Sequence, residues 1–416
     1  MRKLLGRTLG TAQAAVSALM VLGCTATVAG APVKAPDRAD ADGAVVALLD
    51  TGTYPTAAGP PFGTAGRVNG ALMEAHRIGV DVAGPWQADP AFHQRGPVVD
   101  TTITGPFPEA RLLAQNRVLP DPIADIAAAH GFIAGFSSMR TAGPTKALLN
   151  VVLRFPDVDS AGAAAREMSD KYPDVNPRRV PLDGHPEAIT TLDDIAGGDV
   201  IASSFTPRGA FVLFQAVHIS DRTETAAAPR LIGLALDKQE PLIDRFKPTD
   251  PAKLADLPKD FTGHLLARTL WAPDNSGPFI VGVWEPTAWL HFEDDPIKAA
   301  GLFRSAGVDA VAQRMTTVYQ ARDTTGAAQV VEQLAADMRA SDGVHPITGI
   351  TGLPRAQCFA RKKTLSEPNP PPSWQRVVWP FKCVARADRY AFTAFSADEK
   401  DVKQQMAAQY RILAGK

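Results

Sequence analysis

Long apolar runs are almost absent from this chain. Residues 9–22 form the one apolar stretch near its start, and Thr11, Gln13 and Ser17 interrupt it. No later run approaches the roughly 20 apolar residues of a membrane-spanning helix, so the remainder is expected to be exported and water-soluble. No long block of Lys and Arg occurs, which removes the electrostatic footprint of a nucleic-acid partner. Neither a Walker A sequence nor a Gly-x-Gly-x-x-Gly at a strand-to-helix junction is present, and no cofactor is implied. The eight histidines are scattered, with no i,i+4 pair, so no metal site is expected. Cysteine is scarcest of all: Cys24, Cys358 and Cys383.

What is there is the composition of a soluble globular protein, 45% apolar and 21% charged over 416 residues, enough for two to three domains. Its start is specific. Arg2, Lys3 and Arg7 make a basic head, the apolar stretch follows, and Val21-Leu22-Gly23-Cys24 closes it. This order resembles the lipobox of bacterial lipoproteins, in which the cysteine thiol receives a diacylglycerol after cleavage. Residues 1–23 are then a signal peptide, and Cys24 is the lipidation site, expected to carry acyl chains such as palmitate. Removing Arg2, Lys3 and Arg7 from the 43 basic side chains leaves 40 against 44 acidic, a net charge of about −4.

With Cys24 occupied, an even pair remains. In an exported protein Cys358 and Cys383 read as one disulfide, worth about 3.5 kcal/mol in the chain-entropy account. Residues 24–43, rich in Ala, Pro, Thr and Asp without apolar periodicity, read as a flexible tether. Ala44–Leu49 reads as a first strand.

The main organising signal is an internal duplication at a spacing of roughly 165–180 residues. In the first copy, Leu148–Phe155 reads as a strand, Asp157 or Asp159 caps a helix through Tyr172, and Gly184-His185-Pro186-Glu187-Ala188 forms a loop. Strands near 199–205 and 210–218 and a helix near 225–246 complete it. In the second copy the same order runs through the strand at 316–321, the helix 324–340 behind Asp323, and the loop Gly352-Leu353-Pro354-Arg355-Ala356. Strands at 376–385 and 389–395 and a helix at 397–413 follow. The expected fold is α+β: two tandem related lobes, 44–247 and 252–416, each an antiparallel sheet with packed helices on one face. Residues 247–251 read as the linker.

No catalytic set assembles. Asp50-Thr51-Gly52 resembles the loop of aspartic proteases, but the chemistry needs two such loops, and Arg322-Asp323-Thr324-Thr325-Gly326 better suits a helix cap. Gly135-Phe136-Ser137-Ser138-Met139 approaches a nucleophile elbow without its closing glycine and reads as a polar turn. Ser137 or Ser138 is the only nucleophile on which an alternative reading, a serine hydrolase of cell-envelope substrates, could rest. His291-Phe292-Glu293-Asp294-Asp295 reads as a helix start before Pro296 rather than a cation site. Five of the six tryptophans fall in the second copy, where they serve packing first and a ligand cleft second.

The lipobox, the doubled lobes and runs such as Gly131–Phe136, Ala147–Phe155 and Leu231–Phe246 make the chain resemble the two-lobed lipoproteins of uncharacterised function in mycobacteria and related actinobacteria. More distantly, the element order is similar to the extracellular sensor domains of actinobacterial receptor kinases. The resemblance implies an envelope protein on the extracytoplasmic face, held to the cell membrane by its N-terminal lipid. The tethered body, the groove that a duplication creates and the lack of an assembled catalytic set lead to the expectation that it binds an apolar ligand or an envelope protein between its lobes rather than catalysing a reaction.

Overall fold

The structure, a computed structural model, describes residues 42–96, 103–173, 177–195, 197–220, 223–271, 279–362 and 377–416. The expected signal peptide, Cys24 and nearly all of the expected tether lie outside the described residues, as does Trp374.

The first lobe opens with α1 (Gly66–Ile78), α2 (Pro85–Ala88), β1 (Gly105–Phe107), α3 (Arg111–Gln115) and α4 (Asp121–Ala129). It continues through β2 (Ala134–Thr141), β3 (Lys146–Arg154), α5 (Val158–Lys171), β4 (Pro177–Val180) and β5 (Ile189–Asp194). The hairpin β6 (Val200–Arg208) and β7 (Phe211–Ile219) and the helix α6 (Ala228–Arg245) close it. The second lobe runs β8 (Gly282–Trp284), α7 (Pro286–Trp289), α8 (Pro296–Ala306), β9 (Ala310–Gln313) and β10 (Thr317–Gln320). Then come α9 (Thr324–Ala340), β11 (Val344–Ile347), β12 (Gln357–Arg361), β13 (Phe381–Ala387), β14 (Tyr390–Ser396) and α10 (Glu399–Ala414).

Among the described residues each lobe holds one seven-stranded antiparallel sheet. Their orders are β1-β2-β3-β7-β6-β5-β4 and, read from the matching edge, β8-β9-β10-β14-β13-β12-β11. The two orders are the same, so the duplication extends to the whole sheet. Local chemistry repeats with it. Asp157 accepts the amide of Ser160 at 2.7 Å at the start of α5, and Asp323 accepts that of Gly326 at 2.8 Å at the start of α9. The two Gly-x-Pro-x-Ala loops each begin with a glycine in left-handed backbone, Gly184 at φ 82° and Gly352 at φ 83°.

The helices do not share one face of their sheets, as the alternation had suggested. In the first lobe Val151, Leu153, Phe205, Val212 and Phe214 pack with α4 and α5, while Val152, Ala202, Leu213 and Val217 pack with α6. In the second, Val311, Tyr319, Ala391 and Phe395 face α9, while Ala312, Val318, Phe392 and Ala394 face α10. A sheet covered on both sides buries consecutive residues, which is why residues 150–154 of β3 are all buried.

Three further expectations are corrected. Gly135–Met139 is no turn: it lies within β2, paired along its length with β3. Ala44–Leu49 is not a strand but holds the 3₁₀ turn Val46–Leu48. That segment also belongs to the other lobe. Ala44, Val46, Leu49 and Phe62 join the apolar cluster under α10, the Val45 amide bonds Gly352 O at 2.8 Å, and Asp42 pairs with Arg386 at 2.8 Å. The chain therefore straps the second lobe before it enters the first at α1, because apolar surface on the α10 side is otherwise left bare. The 247–251 linker is likewise fixed. Buried Glu74 ion-pairs with Arg154 and accepts both the amide and the hydroxyl of Thr249.

Cys358 and Cys383 stand directly opposite each other on β12 and β13 and form the expected disulfide, on the face covered by α10. Replacing both by Ala should lower the unfolding free energy by about 2–4 kcal/mol in urea titrations. A loss below about 1 kcal/mol would mean that ladder pairing alone holds β12.

Candidate functional site

The joint between the lobes is a closed aromatic cluster. His76 on α1 stacks on Trp284 of β8, with centroids 3.8 Å apart and planes at 20°. Its Nε2 donates to Phe279 O at 2.9 Å. Gly282 makes room for this ring, since a Cβ there would stand 2.7 Å from it. Phe136 of β2 meets Trp284 and Phe292 edge-on at 6.3 and 6.1 Å. Arg140, 1% exposed, donates to the carbonyls of His291 and Glu293, both at 2.8 Å. Those carbonyls lie at the end of the 3₁₀ turn Leu290–Phe292.

His291 reaches from the second lobe into the first. Its Nδ1 lies 2.8 Å from Ser138 Oγ, both residues fully buried. The backbone carbonyls of Gly79 and Val82 favour the protonated ring, against the burial that opposes it. This places the sequence's candidate nucleophile beside a histidine 153 residues away, which no local motif could reveal. The pair is not assembled for catalysis. Burial, reinforced by Arg140, drives the His291 pKa down to about 3, a poor proton acceptor near neutrality. Ser138 projects from mid-strand into packed side chains, and Ser137 donates to Ile103 O. His130 lies elsewhere, paired with Glu167 at 2.7 Å. Asp50 starts a turn, accepting from Gly52 and Gln404 at 2.9 Å each, on the α10 side of the sheet. Asp323 caps α9 on the opposite side, so the two Asp-Thr-containing loops never meet.

The histidine-led acidic run divides its roles. Asp295 caps α8, Asp294 pairs with Arg95 at 3.0 Å, and Glu293 Oε1 accepts from Trp289 Nε1 at 2.6 Å and from the Tyr319 hydroxyl at 2.9 Å. Among the described residues no three His, Cys, Asp or Glu side chains are placed to hold a metal.

Beyond the closed joint lies a cavity of about 440 Å³, within the usual range for small-molecule sites. It sits between α8, α9 and the second sheet, with His93, Gln94 and Arg95 of the first lobe on its rim. Phe303, Met338, Trp379 and Phe395 line it while being at most 7% exposed. Its origin is visible in the duplication. In the first lobe the equivalent space between α4, α5 and the sheet is filled by Phe205 against Phe214, 4.6 Å apart, with Tyr172 closing on both at 5.6 and 5.8 Å. The matched hairpins, Arg208 with Phe211 and Ala387 with Tyr390, align Phe205 with Val384 and Phe214 with Thr393. Counting from the two capping aspartates, Tyr172 aligns with Met338. Three rings in one copy are thus replaced by smaller or flexible side chains in the other, and space opens.

Two family models cover this architecture, an N-terminal one over residues 62–259 and a C-terminal one over 265–416, each described as a domain of unknown function. The chain belongs to the DUF7373 family. The N-terminal DUF7373 domain begins where the strap over the second lobe ends, and the boundary between the two domains falls between the two sheets. No curated protein matches the chain. The extracellular domain of PknH from Mycobacterium tuberculosis is similar at 17% identity over 29% of this chain and 72% of that one. Its TM-score of 0.24 is too low to carry an argument.

Two outcomes follow from the joint. Burial lowers the pKa of His76 to about 4 and that of His291 to about 3, so both rings are neutral when folded. The unfolded chain takes up a proton on each as pH falls through about 6.5, and stability therefore declines from there down to about pH 4. Each histidine contributes a slope of up to about 1.4 kcal/mol per pH unit. His76→Phe should remove about half of that slope in urea titrations between pH 7 and 5; an unchanged slope would place the acid sensitivity elsewhere. A fluorophosphonate probe should leave Ser138 unmodified, and labelling lost in Ser138→Ala would reverse the reading of this serine as structural.

Proposed function

We propose that this protein is a lipid-anchored binding protein of the cell envelope, with no catalytic role, whose second lobe holds a small ligand. The observation that carries the reading is the cleft of the second lobe: three rings fill the space between sheet and helices in one copy, and a partly open cleft of about 440 Å³ occupies it in the other. A ligand seated there would bury the apolar part of the lining, Phe303, Leu334, Met338 and Phe395, against its own body. The basic head, apolar stretch and Cys24 at the N-terminus support export and tethering, and the Cys358–Cys383 bond suits an oxidising compartment. The protein would then present the cavity at the membrane surface, on the extracytoplasmic side, to a ligand or an envelope protein.

Mass spectrometry of the chain expressed with its leader in a lipoprotein-processing bacterium should find a diacylglycerol on Cys24 as the new N-terminus. Cys24→Ala should keep the leader and leave the detergent phase. An unmodified leader in a cytosolic fraction would end the anchoring part of the proposal. For the cavity, Thr393→Phe restores the ring present in the first lobe. It should raise stability by about 1 kcal/mol and abolish binding of a neutral filler such as naphthalene-1-methanol. Retained binding in that variant would place the ligand outside the second lobe.

A further inference from the structure

The cavity wall is chemically uneven, and the unevenness names a ligand class. Most of its charges are spent on one another. Arg95 pairs with Asp294 at 3.0 Å, Lys298 with Asp337 at 2.8 Å, and His93 stands 4.0 Å from Asp295. Glu293 is occupied by the donors of Trp289 and Tyr319.

Arg361 differs. It ends β12 and lies over the indole of Trp379, its guanidinium carbon 4.4 Å from the ring centroid, and the Lys382 ammonium stands 5.6 Å from the same ring. Its Nη1 donates to Val377 O at 3.0 Å, but its Nε–H is shielded from solvent and meets no acceptor. Among the described residues no carboxylate comes within ion-pair distance of it. Burial depresses its pKa, and the Asp294 carboxylate, beyond ion-pair distance and already paired with Arg95, offsets this only in part. The buried Nε–H is closed to a ligand as it is to water, so an incoming anion would meet the Nη edge of the guanidinium, where a carboxylate or phosphate oxygen fits best.

We propose that the cavity takes a small anionic amphiphile, a carboxylate or a phosphate monoester with an apolar or planar body. The head meets Arg361 at the Trp379 end, and the body lies along Phe303, Leu334, Met338 and Phe395. A cationic head is disfavoured there because it would face the Arg361 guanidinium. This inference rests on the cavity being the ligand site.

The test uses the processed full-length chain in nanodiscs of uncharged lipid, with calorimetric titration against empty nanodiscs. The probes share one body: 1-naphthoate, 1-naphthyl phosphate, naphthalene-1-methanol and 1-naphthylmethylammonium. Both anions should bind at least tenfold more tightly than the alcohol, and the cation more weakly than either. Whichever anion binds tighter separates a fatty-acid-like source from a phosphate ester. Arg361→Gln should bring anion and alcohol to within about threefold of each other, whereas Arg361→Lys should keep part of the preference; unchanged melting temperatures would show both variants folded. Equal binding of anion and alcohol by the native protein, or a preference for the cation, would overturn the inference and leave the cavity reading standing. Failure of every probe to bind would overturn both.

Discussion

Burial of His76, Phe136, Trp284 and Phe292 against one another removes from water the surfaces that two separate lobes would otherwise expose. The cluster also commits polar atoms that cannot be left alone in such surroundings. Arg140 must find carbonyls and finds them at the end of the turn in the other lobe. His291 must be neutral and must place both ring nitrogens, which it does on Ser138 and on first-lobe carbonyls. Each of these groups loses its partners if the lobes separate, and an unpaired buried charge or ring nitrogen is penalised far more than a lost apolar contact. The joint is therefore fixed in register as well as in proximity. The rim of the cavity inherits that rigidity, because Arg95 donates to Phe292 O and pairs with Asp294 beside the same turn.

The duplication is used asymmetrically. In the first lobe the α6 face joins the shared core and the α5 face forms a core of its own with α3 and α4. In the second lobe it is the α9 face, the counterpart of α5, that joins the shared core. Its α10 face is sealed by the strap from residue 42 onward and by the disulfide. The copies thus meet through non-equivalent faces, head to tail rather than about a two-fold axis. Equivalent positions then face different surroundings. Phe214 could remain large in a face closed by its own helices, while Thr393 lies where α8 and α9 leave room beside the joint.

Much of this fold could be read from local chemistry. The capping aspartates Asp157 and Asp323, the two Gly-x-Pro-x-Ala loops and the alternating strands repeat because each obeys rules that act within a few residues. The disulfide followed from the parity of the cysteines. What escaped notice depends on partners far along the chain. Gly135–Ser138 looks like a turn because it is small and polar, yet it is a buried strand. The Ile103 carbonyl and the His291 ring satisfy its hydroxyls from 34 and 153 residues away. The strap reads as a strand of the first lobe because nothing in Ala44–Leu49 says which apolar face it will cover. The tryptophans were visible as a cluster in the second copy, but their division between the joint (Trp284, Trp289) and the cavity (Trp379) is set by tertiary register.

Thr393 explains why the cavity itself could not be read from the sequence. A threonine in a strand is unremarkable, and only its alignment with Phe214, fixed by the two hairpins, marks it as a missing ring. A void of this kind persists only if its walls resist collapse. At the walls here α8 is capped by Asp295, an exposed ion pair joins Asp337 of α9 to Lys298 of α8, and Arg95 of the first lobe bonds Phe292 O at the rim. Packing forces that would close a softer interior are opposed by elements each anchored for a separate reason. The same anchoring holds Arg361 against Trp379, where solvent cannot fully repay its lost hydration. A cleft lined by apolar rings and by paired charges, with the Arg361 guanidinium at its wall, is a more specific recognition surface than an apolar one alone.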